Sequence, residues 1–342
     1  MEAILVTGAA GFIGSHFVRA LLRRYRDVEV HVIDALTYAG DLDNLPHNVL
    51  SNPRFHFWYG NVCDAELVGE VMQQVDAVVH FAAESHVARS ISSNTLFYKT
   101  DVMGTHVIAN QVVKNRRRIK RFVHISTSEV YGTALAQPMS EEHPLNPNSP
   151  YASAKCGADR LVYSYWKTYD IPAVIIRPFN QYGPHQHLEK CVPRFITNVI
   201  DNEPLTVHGD GSAARDWCYV GDTCQGLIAA LEAPRDAVAG EVINLGTGVA
   251  TSVLAIAHQV VDQMGADRSW IEHVENRPGQ VDLHVSSTDK AQRLLGWRAT
   301  TDLEAGLART IEWYRANETW WRKRVWMRHV RVMVPDGSTV LH

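Results

Sequence analysis

Val6-Thr7-Gly8-Ala9-Ala10-Gly11-Phe12-Ile13-Gly14 joins an apolar run, Ile4-Leu5-Val6, to an amphipathic stretch, and its reading decides the fold. Glycines 8, 11 and 14 form a GxxGxxG loop between a strand and a helix. Gly8 permits the tight turn, Gly11 lets backbone approach a pyrophosphate, and Gly14 lets helix and strand pack closely. Phe12 and Ile13 open the helix, whose N-terminal amides would face the phosphates. From Gly14 it is twenty residues to Asp34, which closes the next apolar run. A carboxylate there accepts hydrogen bonds from an adenosine ribose and repels a 2′-phosphate, which predicts NAD rather than NADP. Asp64 follows Gly60-Asn61-Val62, read as a strand, and is expected either to meet the adenine or to be an exposed turn Asp.

Outward from the loop, short β-branched runs alternate with amphipathic ones. Ile4 to Val6, Val28 to Ile33, Ala77 to Phe81, Phe122 to Ile125 and Val174 to Arg177 read as buried strands. Ile13 to Arg24, Glu66 to Gln74, Thr95 to Lys114 and Tyr151 to Tyr169 read as helices. This alternation predicts an α/β fold, a doubly wound parallel (Rossmann) sheet with right-handed crossovers. Beyond residue 180, Pro184, Pro193, Pro204 and Gly209-Asp210-Gly211 break the rhythm. The expected organisation is an NAD-binding domain over 1–180, with 218–250 returning to it, and a smaller substrate lobe over 181–320. The tail over 321–342 carries Arg322, Lys323, Arg324, Arg328 and Arg331 among Trp and Val, and reads as a solvated or oligomer-contact extension.

With 33 Lys+Arg against 37 Asp+Glu, the formal charge of −4 offers no field to hold a nucleic acid or an anionic membrane. Five cysteines, at 63, 156, 191, 218 and 224, show no CxxC spacing and read as free thiols in a reducing compartment. No apolar run reaches the roughly 18 residues that span a bilayer. Met1-Glu2-Ala3 leads straight into a strand pattern, so neither membrane insertion nor a signal peptide is expected, and the predicted location is cytoplasmic. His185, His187 and His208 lack carboxylate or Cys partners at ligand spacing, so no metal is predicted.

Chemistry enters with Tyr151-Ala152-Ser153-Ala154-Lys155, a phenol and an ammonium one helical turn apart on one face. A free phenol is a poor base at neutral pH, and a neighbouring cation favours its phenolate. Ser126-Thr127-Ser128-Glu129 ends a strand at the carboxyl edge of the sheet, where open α/β sites form. Thr127 can share a substrate hydroxyl with Tyr151.

The chain here resembles the extended short-chain dehydrogenase/reductases, specifically nucleotide-sugar 4,6-dehydratases of the dTDP-glucose type. The resemblance rests on Val6 to Gly14, Ile33 to Gly40, Phe81 to Val87, Ser126 to Gly132, Tyr151 to Lys155, Asn180 to Pro184, Glu189-Lys190, Arg215-Asp216-Trp217 and Arg277-Pro278-Gly279. It implies that Thr37, Ala82 and Ala83 line the cofactor riboses and that Tyr151 and Lys155 serve C4 oxidation. Glu129 would then remove the C5 proton, water would leave from C6, and the reducing equivalent would return to C6. Members acting on dTDP-glucose read Thr-Asp-Glu where this chain reads Thr127-Ser128-Glu129. A serine hydroxyl is a poor acid, so Ser128 is expected to orient Glu129 or a water.

A sugar nucleotide carries two phosphate charges and calls for cationic clamps. Arg215, Lys190 and Arg277 are the candidates by position, with Asn180, Ser85, Glu189 and Val207 also placed at the substrate. Related outcomes on the same fold are a UDP-glucuronate decarboxylase and a 4-epimerase. A non-catalytic NAD-sensing regulator is a third reading, opposed by intact Thr127, Tyr151 and Lys155. The resemblance further implies a homodimer formed through Thr95 to Lys114 and Tyr151 to Tyr169.

Overall fold

A computed structural model describes residues 1–275, 281–329, 331–333 and 339–341. Strands β1 (Ala3–Thr7), β5 (Arg121–Ile125) and β6 (Ala173–Pro178) are buried along their whole length, as strands covered on both faces must be. With β2 (Glu29–Asp34), β3 (Phe55–Tyr59), β4 (Ala77–His80) and β10 (Val242–Leu245) they form a seven-stranded sheet in the order β10-β6-β5-β4-β1-β2-β3. Every pairing in it is parallel. Strand order reverses at β1, which lies between β2 and β4, and the crevice beyond the carboxyl ends of β1 and β4 is the natural ligand site.

Helices Phe12–Arg24 and Val220–Glu232 cover one face through Phe17, Leu21, Leu227 and Leu231. Helices Ala65–Met72, Thr105–Lys114 and Pro150–Tyr169 cover the other through Val68, Ile108 and Val162. The stretch after β6 builds a second core around Phe195, Ile196, Trp217, Val260, Leu307 and Tyr314. Around it lie β7 (Asn180–Tyr182), β9 (Ala214–Tyr219) and β11 (Ala250–Ser252) in one small sheet, and β8 (Leu205–His208) with β12 (Ile271–Val274) in another. Strands β13 (Arg331–Met333) and β14 (Thr339–Leu341) pair antiparallel. The chain returns to the first core at the helix Val220–Glu232 and β10, and again at Ala291 and Trp297. Trp297 Nε1 donates to the Asp222 carbonyl at 2.9 Å.

Three local readings change. The third strand is Phe55–Tyr59, and Gly60 to Val62 form the loop after it. Polar and aromatic residues alternate in this edge strand, so it lacks the continuous apolar run of its neighbours. The stretch read as one helix over 95–114 is wound as a π-helix at Tyr98–Gly104, a local widening that hydrophobic spacing does not reveal. The tail, as far as it is described with side chains, is docked rather than solvated. Trp320 and Trp321 are buried, as are Arg324 and Arg328. Arg324 pairs with Asp41, Lys323 with Asp43 and Arg322 with Asp201, while Arg328 reaches Glu203 at 2.9 Å.

Candidate active site

The glycine loop is shaped by close approach. Gly8 has φ +71°, and a Cβ there would lie 2.6 Å from the Ala82 amide nitrogen; one at Gly14 would lie 2.4 Å from the Gly8 carbonyl oxygen. Backbone from β1, the first helix and the end of β4 therefore meet with no room for side chains. Asp34 is buried at the end of β2 and accepts the amides of Ala10 at 2.8 Å and Leu36 at 2.9 Å. Burial raises its carboxyl pKa while the two amides oppose the rise. Its two oxygens keep lone pairs for a ribose diol. Thr7 Oγ1, which also contacts His80 Nδ1 at 2.6 Å, accepts the Ala82 amide at 3.2 Å and holds the Ala82-Ala83 turn. A Cβ-free cradle at a helix N-terminus, facing a carboxylate, fits NAD.

One cavity of about 500 Å³ runs from Gly8, Gly11, Phe12, Ile13, Gly14, Asp34, Thr37, Ala82 and Ala83 to Thr127, Ser128, Glu129, Tyr151 and Lys155. It continues to Ser85, Asn180, Glu189, Lys190 and Arg215. Asp64 does not line it. The Asp64 carboxylate caps the helix Ala65–Met72, accepting the amides of Glu66 at 3.0 Å and Leu67 at 3.1 Å. An Asp one residue before a helix satisfies orphan amides, and Gly60, Asn61 and Val62 take the cavity wall instead. Val207 is likewise displaced: it is buried in the second core, whereas its neighbour His208 lines the cavity, because successive side chains on a strand face opposite ways. Arg277 lies outside the described residues.

Helix Pro150–Tyr169 starts where it must. Ser149 accepts the Ala152 amide at 3.1 Å, Pro150 occupies the first turn, and Tyr151 and Lys155 follow on one buried face. Burial pushes the Tyr151 phenol above its ordinary pKa; a hydrogen bond from Thr127 lowers it, and Asp101 and Glu129 raise it. Lys155 donates to the Ile125 carbonyl at 2.6 Å, and burial lowers its ammonium pKa while Asp101 and Asp159 favour the charge. The expected lowering of the phenol by Lys155 is thus not among the influences on Tyr151. Asp101, on the π-helical turn, accepts the Glu84 amide at 2.7 Å, and burial raises its carboxyl pKa against the pull of Lys155.

Glu129 is set by a short turn, Ser128–Tyr131, whose first amide-to-side-chain bond runs from Glu129 N to Thr127 Oγ1 at 3.2 Å. Gly132 ends the turn at φ +67°, where a Cβ would meet the Asn146 carbonyl oxygen at 1.8 Å. Arg215 is buried on β9 and donates to the Ala214 carbonyl at 2.9 Å. The adjacent Asp216 carboxylate accepts Thr247 N, Thr247 Oγ1, Gly248 N, Ser286 N and Ser286 Oγ, all within 3.1 Å, and so locks the strand that presents Arg215. Lys190 Nζ reaches the Ser85 carbonyl at 2.9 Å, and Glu189 takes Arg89 at 3.2 Å and Tyr38 at 3.4 Å. Glu189 thus ties the cofactor loop to the second lobe. Arg194 and Arg328 also line the cavity, and neither sits in a motif that would have revealed it. Among the described residues, no cluster of three His, Cys, Asp or Glu could hold a metal.

A parallel doubly wound sheet whose switch-point crevice leads from a glycine loop to a Tyr–Lys pair defines a class, the short-chain dehydrogenase/reductases. Comparison narrows it: the model of the GDP-mannose 4,6-dehydratase family matches residues 5–310. The chain is 42% identical to a dTDP-glucose 4,6-dehydratase of Streptomyces niveus over 323 residues, 93% of this chain and 94% of that one. The crystal structure of a dTDP-glucose 4,6-dehydratase from Streptomyces venezuelae with NAD bound superposes with a TM-score of 0.89 at 42% identity, covering 94% of this chain and 99% of that one. A UDP-glucuronic acid 4-epimerase from Bacillus cereus, in complex with UDP-glucuronic acid and NAD, gives 0.86 at 31% identity over 92% and 99%. The chain belongs to the GDP-mannose 4,6-dehydratase family.

Proposed function

We propose that the chain is an NAD-dependent dehydratase converting an NDP-hexose to its 4-keto-6-deoxy form. One observation carries the reading: a single cavity joins the glycine loop and Asp34 to Tyr151, Glu129 and Arg215. Bound NAD supplies the two-electron acceptor at sugar C4 and the donor at C6, together with a positive charge beside the phenol. Tyr151 takes the C4 hydroxyl proton, and Thr127, which bonds the Tyr151 phenol, shares that hydroxyl with it. A C4 ketone acidifies the C5 proton, which Glu129 removes as general base and passes to the departing C6 hydroxyl, so that it leaves as water. Ser128, buried next to it, orients Glu129 or the departing C6 hydroxyl. Arg215 and Lys190 line the cavity and supply cations for the diphosphate, and Asn180, also on its wall, offers its amide to the sugar or phosphate.

Two finer readings join it. The exposed Leu96, Met103, Tyr163 and Tyr169 support a homodimer through these helices, which light scattering tests. That Cys63, Cys156, Cys191, Cys218 and Cys224 form no disulfide supports a cytoplasmic setting, and none of the described helices is long and apolar enough to cross a membrane. The direct test of the reaction is incubation with dTDP-glucose, UDP-glucose, UDP-N-acetylglucosamine and UDP-glucuronate, followed by product mass. Loss of one water from a hexose supports dehydration. Loss of carbon dioxide from UDP-glucuronate, or an unchanged mass with inverted C4, would replace it with decarboxylation or epimerisation.

A further inference from the structure

The turn that carries Glu129 is held from the second lobe by a residue that no step above uses. His284 is fully buried, and its Nε2 lies 2.6 Å from the Gly132 carbonyl oxygen. A carbonyl only accepts, so Nε2 carries the hydrogen and the ring is in its Nε2–H form. Its Nδ1 is buried without a partner among the described residues. Burial lowers the pKa of the ring; Glu129 and the Gly132 carbonyl favour its charge, while Arg215 and His143 oppose it.

Backbone geometry sets this ring between two functional elements. His284 N donates to the Ala214 carbonyl at 3.1 Å, and the Asp282 carbonyl accepts Ala214 N at 2.8 Å, so the segment is zipped onto the strand that presents Arg215. Two residues on, Ser286 joins the Asp216 network. The ring itself packs edge-on against Phe179, 6.2 Å between centroids. Through one side-chain bond the Arg215 strand therefore reaches the C-terminal end of the turn Ser128–Tyr131, while Thr127 holds its other end.

We propose that His284 is a positioning residue for the elimination step: its bond to Gly132 fixes Glu129 against C5 and links that placement to the strand that grips the diphosphate. The inference rests on the dehydratase reading. It predicts a defect confined to the stage after C4 oxidation, because Lys155 is held by the Ile125 carbonyl and the helix that carries Tyr151 is capped by Ser149, both independently of His284. Leaving the buried Gly132 carbonyl unpaired should slow elimination about tenfold or more.

The test compares wild type, His284→Phe and His284→Gln, each purified with its NAD, in single turnover with the nucleotide sugar that wild type dehydrates. Reduced-nicotinamide absorbance reports C4 oxidation, and loss of water by mass reports elimination. The Phe variant should form reduced nicotinamide at the wild-type rate and accumulate it. The Gln variant, whose amide can still donate to Gly132, should recover at least half of the lost rate. Should the Phe variant be too poorly folded to hold NAD, His284→Asn, too short to reach the carbonyl, takes its place with the same expected signature. No accumulation in Phe or Asn, equal loss of oxidation and elimination, or a Gln variant as slow as Phe would overturn the proposal. Failure of wild type itself to release water would instead overturn the dehydratase reading.

Discussion

Replacing Gly8 by alanine tests the cofactor cradle where its geometry is tightest. The residue has φ +71°, and the added Cβ would sit 2.6 Å from Ala82 N and 2.8 Å from Ala82 Cα, both backbone atoms that cannot swing away. Left-handed backbone costs a non-glycine residue about 1–2 kcal/mol. Forcing a methyl into a packed contact adds about 1–3 kcal/mol. Their sum, about 2–5 kcal/mol, is relieved by parting the glycine loop from the Ala82 turn, and it should weaken NAD binding by about 30-fold to a few thousand-fold. Gly265 is the control, with φ +72° and nothing within 4 Å of its Cβ position. Alanine there should cost only the backbone part in thermal stability and leave NAD binding unchanged. NAD content after purification and a fluorescence titration measure both variants. Equal NAD affinity in wild type and Gly8→Ala, within twofold, would refute the close-approach argument.

Three further perturbations separate parts of the account. Glu129→Gln should oxidise C4 but stall before water loss, seen as reduced nicotinamide that persists; normal turnover would remove Glu129 as the base. Asp159→Asn should destabilise the fold by about 3–5 kcal/mol, because Arg177, which meets Asp159 at 2.9 Å, would be left buried and unpaired. Burial raises the Asp159 carboxyl, but Arg177 and Arg160 outweigh it and hold it at about 2 against an ordinary 3.8. A depressed carboxyl stabilises above pH 3.8 and loses that contribution as pH falls through about 2. The gap between wild type and variant in urea titrations should therefore be constant at neutral pH and shrink below pH 3.8, and a gap unchanged down to pH 2 would contradict this. Arg324→Ala should loosen the Asp41–Asn44 segment, in which Asn44 accepts Trp320 Nε1 at 3.0 Å and donates to the Ala10 carbonyl at 2.7 Å. Faster NAD loss on gel filtration in high salt is the expected outcome, and unchanged retention would show that the tail does not brace the cofactor loop.

The parts of this molecule legible in its sequence are those where one residue's chemistry is local. Gly8, Gly11 and Gly14 mark one loop by their spacing, Asp34 takes the Leu36 amide two residues on, and Tyr151 and Lys155 share a helix face fixed by their spacing. Buried parallel strands announced themselves as unbroken apolar runs. The edge strand Phe55–Tyr59 did not, because its exposed face mixes His and aromatics. Asp64 was misplaced because a carboxylate before a helix has a local partner, the helix's own amides, that competes with any ligand. Residues joined only by the tertiary fold left no motif: His284 meets Gly132 across 152 positions, and Arg324 meets Asp41 across 283. The basic tail read as a solvated or oligomer-contact extension because short charge runs are usually exposed, whereas here acidic residues at 41, 43, 201 and 203 lie opposite it.

A sugar nucleotide deuterated at hexose C4 provides the most direct measurement, with product analysis by NMR. Oxidation and reduction around one bound NAD predict a product lighter by one water that carries the label at C6, with none released to solvent or to added cofactor. Label retained at C4, or lost to the medium while product forms, would contradict the account.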